Sequence, residues 1–414
     1  MTDIAKALET AAESSRQMLS ERLLKARYID ESFAAADDTP LTAEEKSQID
    51  DYWGRYRFAY PEIDYKSFQT FKNRLGRFDV RHCPGPICAV HLRPRFCPVR
   101  YGTVWRQKGY APLLYPGIKQ PKTVLRQMAG LYYNRSYKPI SARAAVSALA
   151  RALRAGAPLI VKVDKLGFGG GQGVSFLEPD ATVEQIRERL SLLGDSEFVI
   201  QETLEQSPFM AALNPQSVNT IRVCTLLWKG KVHVLAALVR VGKAGNRVDN
   251  FSAGGTIIGV DLTTGTLYPR GYAKDQPAVT TLASGLDLDS GAPLVIPGFQ
   301  KVLKSVEKLH YTIPYVKLIG WDIALDEKDE PVFIECNFQN MIQIHEAVTG
   351  PLFGELLDDM LDTYLNESFS IPFSAAGFSC AEYADRVEVL AGCREDSDIA
   401  LPQRIAGKPV IVPP

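Results

Sequence analysis

Three polar side chains between residues 322 and 337 have the types and spacing of a magnesium site. Glu335 and Asn337 are two residues apart in the run PVFIECN, so a strand places both side chains on one face. Asp322 lies in the preceding run GWDIAL, which a short turn joins to PVFIECN as a hairpin. Two carboxylates and an amide oxygen suit Mg²⁺ held against phosphate groups. The alternative is a solvated strand face, but the apolar neighbours favour a buried strand, where a carboxylate needs a partner.

A second segment has the composition of a phosphate-binding loop. Five glycines fall between residues 167 and 173 (GFGGGQG), so backbone N–H groups there can approach phosphate oxygens closely. Lys162, in the apolar run PLIVKV just before the loop, adds a positive charge. The loop lacks the Gly-Lys-Ser/Thr ending of a Walker loop, and a strand-like run (GVSFL) follows it where a dinucleotide fingerprint requires a helix. We expect a lid between antiparallel strands; an ordinary flexible hairpin loop is the alternative.

The elements around these residues indicate a mixed α+β fold. Strands are predicted over 158–163, 173–177, 198–201, 218–228, 232–241, 256–260, 319–325 and 332–335. Helices are predicted over 1–27, 42–57, 121–130, 141–155, 182–193, 299–309 and 351–365. The proline-containing stretch 82–100 is predicted to be an extended connection. Short turns such as Lys229-Gly230 favour antiparallel hairpins, and without regular β-α-β alternation a doubly wound sheet is a poor fit.

Composition excludes several classes of function. The 414 residues include 47 Lys and Arg against 48 Asp and Glu, a balance that argues against a nucleic-acid partner. No uncharged apolar run reaches about 18 residues, so no membrane span is predicted. The N-terminal segment is polar and the seven cysteines are scattered, which predicts a cytoplasmic protein with reduced thiols.

Five sequence blocks, in order, resemble the ATP-grasp superfamily. They are VKVDKLGFGGGQGV, FVIQETLE, NTIRV, DNFSAGG, and GWDIAL followed by VFIECN. They are most similar to the branch called sugar-transfer-associated ATP-grasp, over roughly residues 100–360. The resemblance implies an ATP-grasp fold, in which two α+β subdomains at 105–200 and 201–365 grip ATP. A helical and extended N-terminal region at 1–104 and a C-terminal extension at 366–414 flank them.

The resemblance also implies roles for individual residues. Lys162, Arg222 and Asn250 take catalytic roles around the transferred phosphoryl group, and Asp322, Glu335 and Asn337 hold the metal. The implied nucleotide-binding residues are Lys108, Lys162, Lys165, Gly169, Gly170, Gly171, Gln201, Glu202, Leu204 and Glu205. Either Glu205 or Glu202 accepts from the ribose hydroxyls. Gln and Gly flank Lys108 where the family often has Asp and Asn, and the proline that often follows the Glu-x-Asn motif is absent.

The activity implied by the resemblance is that of an ATP-dependent ligase using one or two Mg²⁺ ions. Such an enzyme joins a small-molecule carboxylate to an amine, or to another nucleophile, through an acylphosphate. Family association suggests polysaccharide or secondary-metabolite biosynthesis. A kinase acting on a small hydroxyl or acid and a non-catalytic nucleotide-binding protein are the alternatives. The sequence leaves open the acceptor and whether the chain forms a homo-oligomer.

Overall fold

The computed structural model describes residues 39–56, 63–85, 87–164, 173–249, 251, 254–274, 276–338 and 342–366. Several predictions lie outside these residues, namely the helix at 1–27, Lys165, Gly169, Gly170, Gly171, Asn250 and most of the C-terminal extension. Helices and two antiparallel sheets make up the described part, which confirms the predicted α+β class.

The N-terminal part of the described chain is helical. Its elements are α1 (Ala43–Gly54), α2 (Tyr65–Leu75), a π-helix (Ile87–Leu92), α3 (Arg93–Phe96), α4 (Val99–Trp105), a 3₁₀ turn (Lys108–Tyr110) and α5 (Ala111–Leu114). Helix α1 begins at a reciprocal capping box between Thr42 and Glu45, as its spacing predicts. The predicted extended connection at 82–100 is wrong. Pro94 lies in the first turn of α3 and Pro98 caps α4, positions where a missing N–H costs no helical hydrogen bond.

The first sheet has six strands in the order β3-β2-β1-β6-β4-β5. These strands are β1 (Thr123–Met128), β2 (Leu131–Tyr133), β3 (Pro139–Ile140), β4 (Leu159–Val163), β5 (Val174–Leu177) and β6 (Phe198–Glu202). Helices α6 (Ala142–Leu153) and α7 (Val183–Leu193) share a hydrophobic core with it through Leu149 and Ile186. The helix predicted at 121–130 is wrong, because this segment pairs with β2 and β6. A short apolar run does not distinguish strand from helix before its partners are known.

The second sheet has seven strands in the order β11-β10-β9-β8-β7-β12-β13. These strands are β7 (Thr220–Trp228), β8 (Lys231–Val241), β9 (Thr256–Val260), β10 (Leu267–Ala273), β11 (Gln276–Val279), β12 (Leu318–Leu325) and β13 (Pro331–Asn337). The accompanying helices are α8 (Pro208–Leu213), α9 (Phe299–His310), α10 (Ile342–Thr349) and α11 (Leu356–Asn366). As predicted, β7 and β8 turn at Lys229 and Gly230, whose φ angles of 47° and 80° fit a tight hairpin.

The connection into the first sheet is fixed to the edge of the second. Lys119 bridges Val332 of β13, and the Phe333 N–H donates to the Lys119 carbonyl at 2.8 Å. The Lys119 ammonium also pairs with buried Asp326 at the end of the β12 strand. The segment that leads into β1 therefore lies beside β13, and a cleft between the two sheets receives side chains from both.

Candidate functional site

Strand register places three charged residues in one row across the second sheet. Arg222 on β7 is opposite Asp322 on β12, and Asp322 is opposite Glu335 on β13. Asn337 follows two residues later on β13, so its side chain lies on the same face as Glu335. The predicted metal-binding residues and the predicted phosphoryl-binding arginine therefore occupy one surface.

Asp322 is the most heavily engaged residue of this row. Arg222 grips its carboxylate with two nitrogens, Nε on Oδ1 and Nη2 on Oδ2, the second at 2.7 Å. Arg240 Nη1 reaches Oδ2 at 2.9 Å, and Asn337 Nδ2 lies 3.3 Å from the same oxygen. Burial raises the pKa of Asp322, but the two arginines outweigh burial and hold this pKa below its ordinary value. The carboxylate is thus held in its charged form, which a metal ligand requires.

Lys162 and Glu335 line the same cleft, although they come from different sheets. The cleft is narrow, and part of it is continuous with solvent. Burial lowers the pKa of Lys162, and the carboxylate of Glu335 partly offsets this. The cleft is also lined by Lys108, Gln201 and Phe333. One wall is therefore cationic, and the opposite wall carries an acidic side chain.

Lys108 is held in place by contacts of its own N–H and ammonium groups and of the carbonyl of the next residue, Gly109. Its N–H donates to Asp164 Oδ2 at 2.7 Å, and its ammonium lies 3.8 Å from Asp164 Oδ1. The Tyr137 hydroxyl donates to the Gly109 carbonyl at 3.0 Å. A Cβ at Gly109 would lie 2.6 Å from Met128 Sδ, so a larger residue here requires the Met128 side chain to move. The structure thus keeps Lys108 in the cleft despite its altered neighbours.

The end of β6 provides Gln201 to the cleft, while the acidic side chains of Glu202 and of Glu205 after the strand lie elsewhere. Glu202 pairs with Lys122 at 3.0 Å, and Glu205 is exposed. Neither Glu202, Leu204 nor Glu205 is among the residues that line the cleft. Their roles in nucleotide binding stay predictions, as do those of Arg222 and Asn250 in catalysis.

This network also contains Arg240 and Asp249, which were not predicted as site residues from the sequence. Arg240 on β8 faces Thr220 across the hairpin, and its Nη2 lies 3.2 Å from Asp249 Oδ1. Burial lowers the pKa of Arg240, but nearby carboxylates, first that of Asp249, raise this pKa above its ordinary value. A signal was present, since Arg240 is a charge within the apolar run VLAALVRV, and a buried charge requires a partner.

The donor set fits a metal that takes most of its ligands from a phosphorylated substrate. Within the described ranges, no three His, Cys, Asp or Glu side chains converge on one point. Asp322 and Glu335 are nevertheless opposite each other, and Asn337 Nδ2 lies 3.3 Å from a carboxylate oxygen of each. Mg²⁺ is commonly bound through one or two carboxylates plus substrate phosphates and water, so a partial set of this kind suits it.

A family model matches the part of the chain that carries most of these residues. Residues 159–358 match the family described as sugar-transfer associated ATP-grasp. This region belongs to the ATP-grasp superfamily. It contains the strand of Lys162, the β7–β8 hairpin and the β12–β13 hairpin. The family predicted from the sequence is therefore confirmed. No curated protein is significantly similar to the chain.

Solved structures that are similar to this chain include several ligases and synthetases. D-alanyl-alanine synthetase A from Vibrio cholerae is 10% identical, with 65% of this chain and 67% of that chain covered and a TM-score of 0.40. N5-carboxyaminoimidazole synthetase from Staphylococcus aureus, complexed with ADP, is 11% identical at 59% and 48% coverage, with a TM-score of 0.35. The ATP-grasp ligase PsnB is 14% identical at 78% and 75% coverage, with a TM-score of 0.37. This chain thus spans about half of the staphylococcal synthetase.

The described residues contain no helix that is both long and apolar enough to cross a membrane.

Proposed function

We propose that the chain is a Mg²⁺- and ATP-dependent ligase that joins a carboxylate to an amine or another nucleophile. The observation that carries this proposal is the shared cleft of Lys162 and Glu335, which come from different sheets of an ATP-grasp region. The row Arg222, Asp322 and Glu335 supports it, because phosphoryl transfer depends mainly on positioning and on charge placed at the phosphate oxygens.

The nucleotide occupies the cleft with its base toward Gln201 and its phosphates toward Lys108 and Lys162. The two ammonium groups suit phosphate oxygens. The backbone groups of the segment after β6 read the edge of the base. The glycine-rich loop at 166–173 lies almost entirely outside the described residues, and the phosphate-covering role that its composition predicts is part of this proposal.

Asp322, Glu335 and Asn337 hold one or two Mg²⁺ ions against the phosphates. When bound, Mg²⁺ neutralises charge on the phosphate oxygens. Asp322 must release part of its contact with the arginines to become a ligand. Arg222 binds the transferred phosphoryl group, and Asn250, which lies outside the described residues, assists near the same phosphates.

The reaction proceeds in two displacements. A carboxylate oxygen of the first substrate attacks the γ-phosphorus, the bond to the bridging oxygen breaks, and ADP leaves. The amine of the second substrate then attacks the acyl carbon, and inorganic phosphate leaves as the amide bond forms. The description of the family as sugar-transfer associated suggests that the product enters polysaccharide or secondary-metabolite biosynthesis in the cytoplasm.

The test is a phosphorus NMR experiment with purified protein, Mg²⁺ and ATP. Amino acids, amino sugars and small carboxylates are supplied in pairs, and Glu335→Gln protein is the matched control. We expect ADP and free phosphate in equal amounts, only with the right pair and only with the unaltered protein. A phosphorylated acceptor would indicate a kinase, and failure to bind Mg²⁺ and ATP would contradict nucleotide-dependent chemistry altogether.

A further inference from the structure

Arg240 is shared between two buried carboxylates. Its Nη1 donates to Asp322 Oδ2 at 2.9 Å, and its Nη2 donates to Asp249 Oδ1 at 3.2 Å. The second oxygen of Asp249 accepts a hydrogen bond from the Thr220 hydroxyl. The Arg240 and Asp249 side chains are 12% and 13% exposed, so water competes little for these contacts.

The position of Arg240 matters because the Asp322 carboxylate cannot accept all of its present hydrogen bonds and bind a metal ion at the same time. Both of its oxygens are engaged by Arg222, and Oδ2 also accepts from Arg240 and Asn337. A divalent cation at Asp322 requires at least one of these oxygens. An arginine that leaves a buried carboxylate needs another anion to receive its charge.

Asp249 provides that anion for Arg240. The planar guanidinium presents separate N–H groups to the two carboxylates, so Arg240 keeps its hydrogen bond to Asp249 when its hydrogen bond to Asp322 is broken. Thr220 lies directly opposite Arg240 in the β7–β8 pairing, and its hydroxyl keeps the Asp249 carboxylate beside the guanidinium. Asp249 thereby sets how strongly Arg240 competes with a metal for Asp322.

We propose that Asp249 is a positioning residue of the metal site, which holds Arg240 back so that Asp322 can bind a divalent cation. This inference rests on the proposed function, since it assumes a metal at Asp322. Three carboxylates (Asp249, Asp322 and Glu335), two guanidinium groups (Arg222 and Arg240) and the ammonium of Lys162 form the network. Without the Asp249 carboxylate, Arg240 loses one anionic partner and binds Asp322 more strongly.

The test measures Mn²⁺ binding by electron paramagnetic resonance in the presence of ADP. Unaltered protein is compared with Asp249→Asn, Arg240→Gln and the double variant. We expect Asp249→Asn to weaken Mn²⁺ binding about 10-fold, as is typical for groups that orient metal ligands. In the Arg240→Gln background the same change should have less than about a twofold effect, since coupled residues are not additive.

Thr220→Val is a second variant that keeps every charge and removes only the hydroxyl bound to Asp249. It should weaken Mn²⁺ binding by up to about fivefold, the equivalent of one hydrogen bond. Equal Mn²⁺ affinity in the unaltered, Asp249→Asn and Thr220→Val proteins would overturn the inference and leave the proposed function standing. Independent, multiplicative effects of Asp249→Asn and Arg240→Gln would also overturn it. Failure of the unaltered protein to bind Mn²⁺ with ADP would overturn both.

Discussion

Buried charges determine what individual residues can do in this molecule. Asp322 is 1% exposed and Arg222 and Arg240 are close to it, so each charge is stabilised by a partner of opposite sign. A charged ligand that replaces one of these contacts enters a space that already contains charged groups. It is therefore not transferred into an apolar environment. Such a network can exchange partners at little cost, which suits a site that binds and releases phosphates.

Replacement of Glu335 by alanine should abolish most activity without unfolding the protein. The side chain is at the cleft and contacts Asn337, so its loss removes a preorganised charge from the metal-binding row. We expect turnover to fall at least about 100-fold, as for loss of one charge-stabilising group, with an unchanged melting temperature. Glu330→Ala is the control, since Glu330 lies in the turn of the same hairpin and pairs with the exposed Lys301 of α9. Near-normal turnover of Glu335→Ala would remove Glu335 from the site.

Some site residues could be predicted from the sequence because their signals are local. Glu335 and Asn337 alternate on one strand, and Lys162 immediately precedes the glycine-rich loop. Arg240 and Asp249 could not be predicted in the same way. The contact of Arg240 with Asp322 depends on the register of β7 with β8 and β12, which brings residues 82 positions apart into contact. Only the presence of a charge within an apolar strand indicated Arg240.

At the scale of elements, hairpins position the site and tight packing fixes their ends. Gly242 directly follows β8, its N–H donates to Asn219 Oδ1 at 3.3 Å, and its carbonyl accepts from Asn214 Nδ2 at 2.8 Å. A Cβ there would lie 2.8 Å from the Val248 carbonyl oxygen. The segment from Gly242 to Val248 is therefore held closely, and it leads directly to Asp249.

Replacement of Gly242 by alanine should destabilise the protein by about 1–3 kcal/mol, the usual cost of overpacking a closely packed site. The added methyl group meets backbone at Val248, which cannot move aside as a flexible side chain can. Urea denaturation measures the change in the free energy of unfolding. Gly117→Ala is the control, because Gly117 is exposed and a Cβ there has no atom within 4 Å. Equal stability of the two variants would contradict this account of the loop.

Hairpins were also the elements that the sequence predicted best. The β7–β8 turn and the β12–β13 pair carry local turn signals, and both are found. The errors at 82–100 and 121–130 have a different origin. Prolines can occupy the first turns of short helices, and strand β1 is stabilised by partners that follow it in the chain, including β6 at 198–202.

At the scale of the whole molecule, a hydrogen-bond chain links α9 to the second sheet through a neutral histidine. The Trp321 indole donates to Thr225 Oγ1 at 2.7 Å, and Thr225 Oγ1 lies 2.6 Å from His310 Nδ1. The other ring nitrogen lies 2.9 Å from the Val316 carbonyl. Since a carbonyl only accepts, this network assigns the ring proton to Nε2 and leaves Nδ1 to accept.

The stability of the whole protein should therefore fall in acid partly through His310. Burial lowers the pKa of His310 from 6.5 to about 4. The folded state thus binds fewer protons than the unfolded state below pH 6.5, so stability is complete above that pH and is lost as the pH falls toward 4. Between pH 7 and pH 5 we expect the unaltered protein to lose about 2 kcal/mol more than His310→Gln. Urea denaturation at both pH values measures this, and parallel losses would contradict a neutral, buried His310.

The central claim is that the cleft between the two sheets binds ATP with its metal at the β12–β13 hairpin. The most direct measurement is a crystal structure of the protein with Mn²⁺ and a non-hydrolysable ATP analogue, in which anomalous scattering locates the metal. The account predicts an anomalous peak beside Asp322, Glu335 and Asn337, and nucleotide phosphates within hydrogen-bond distance of Lys162. A nucleotide bound outside this cleft, or a peak away from these three side chains, would contradict it.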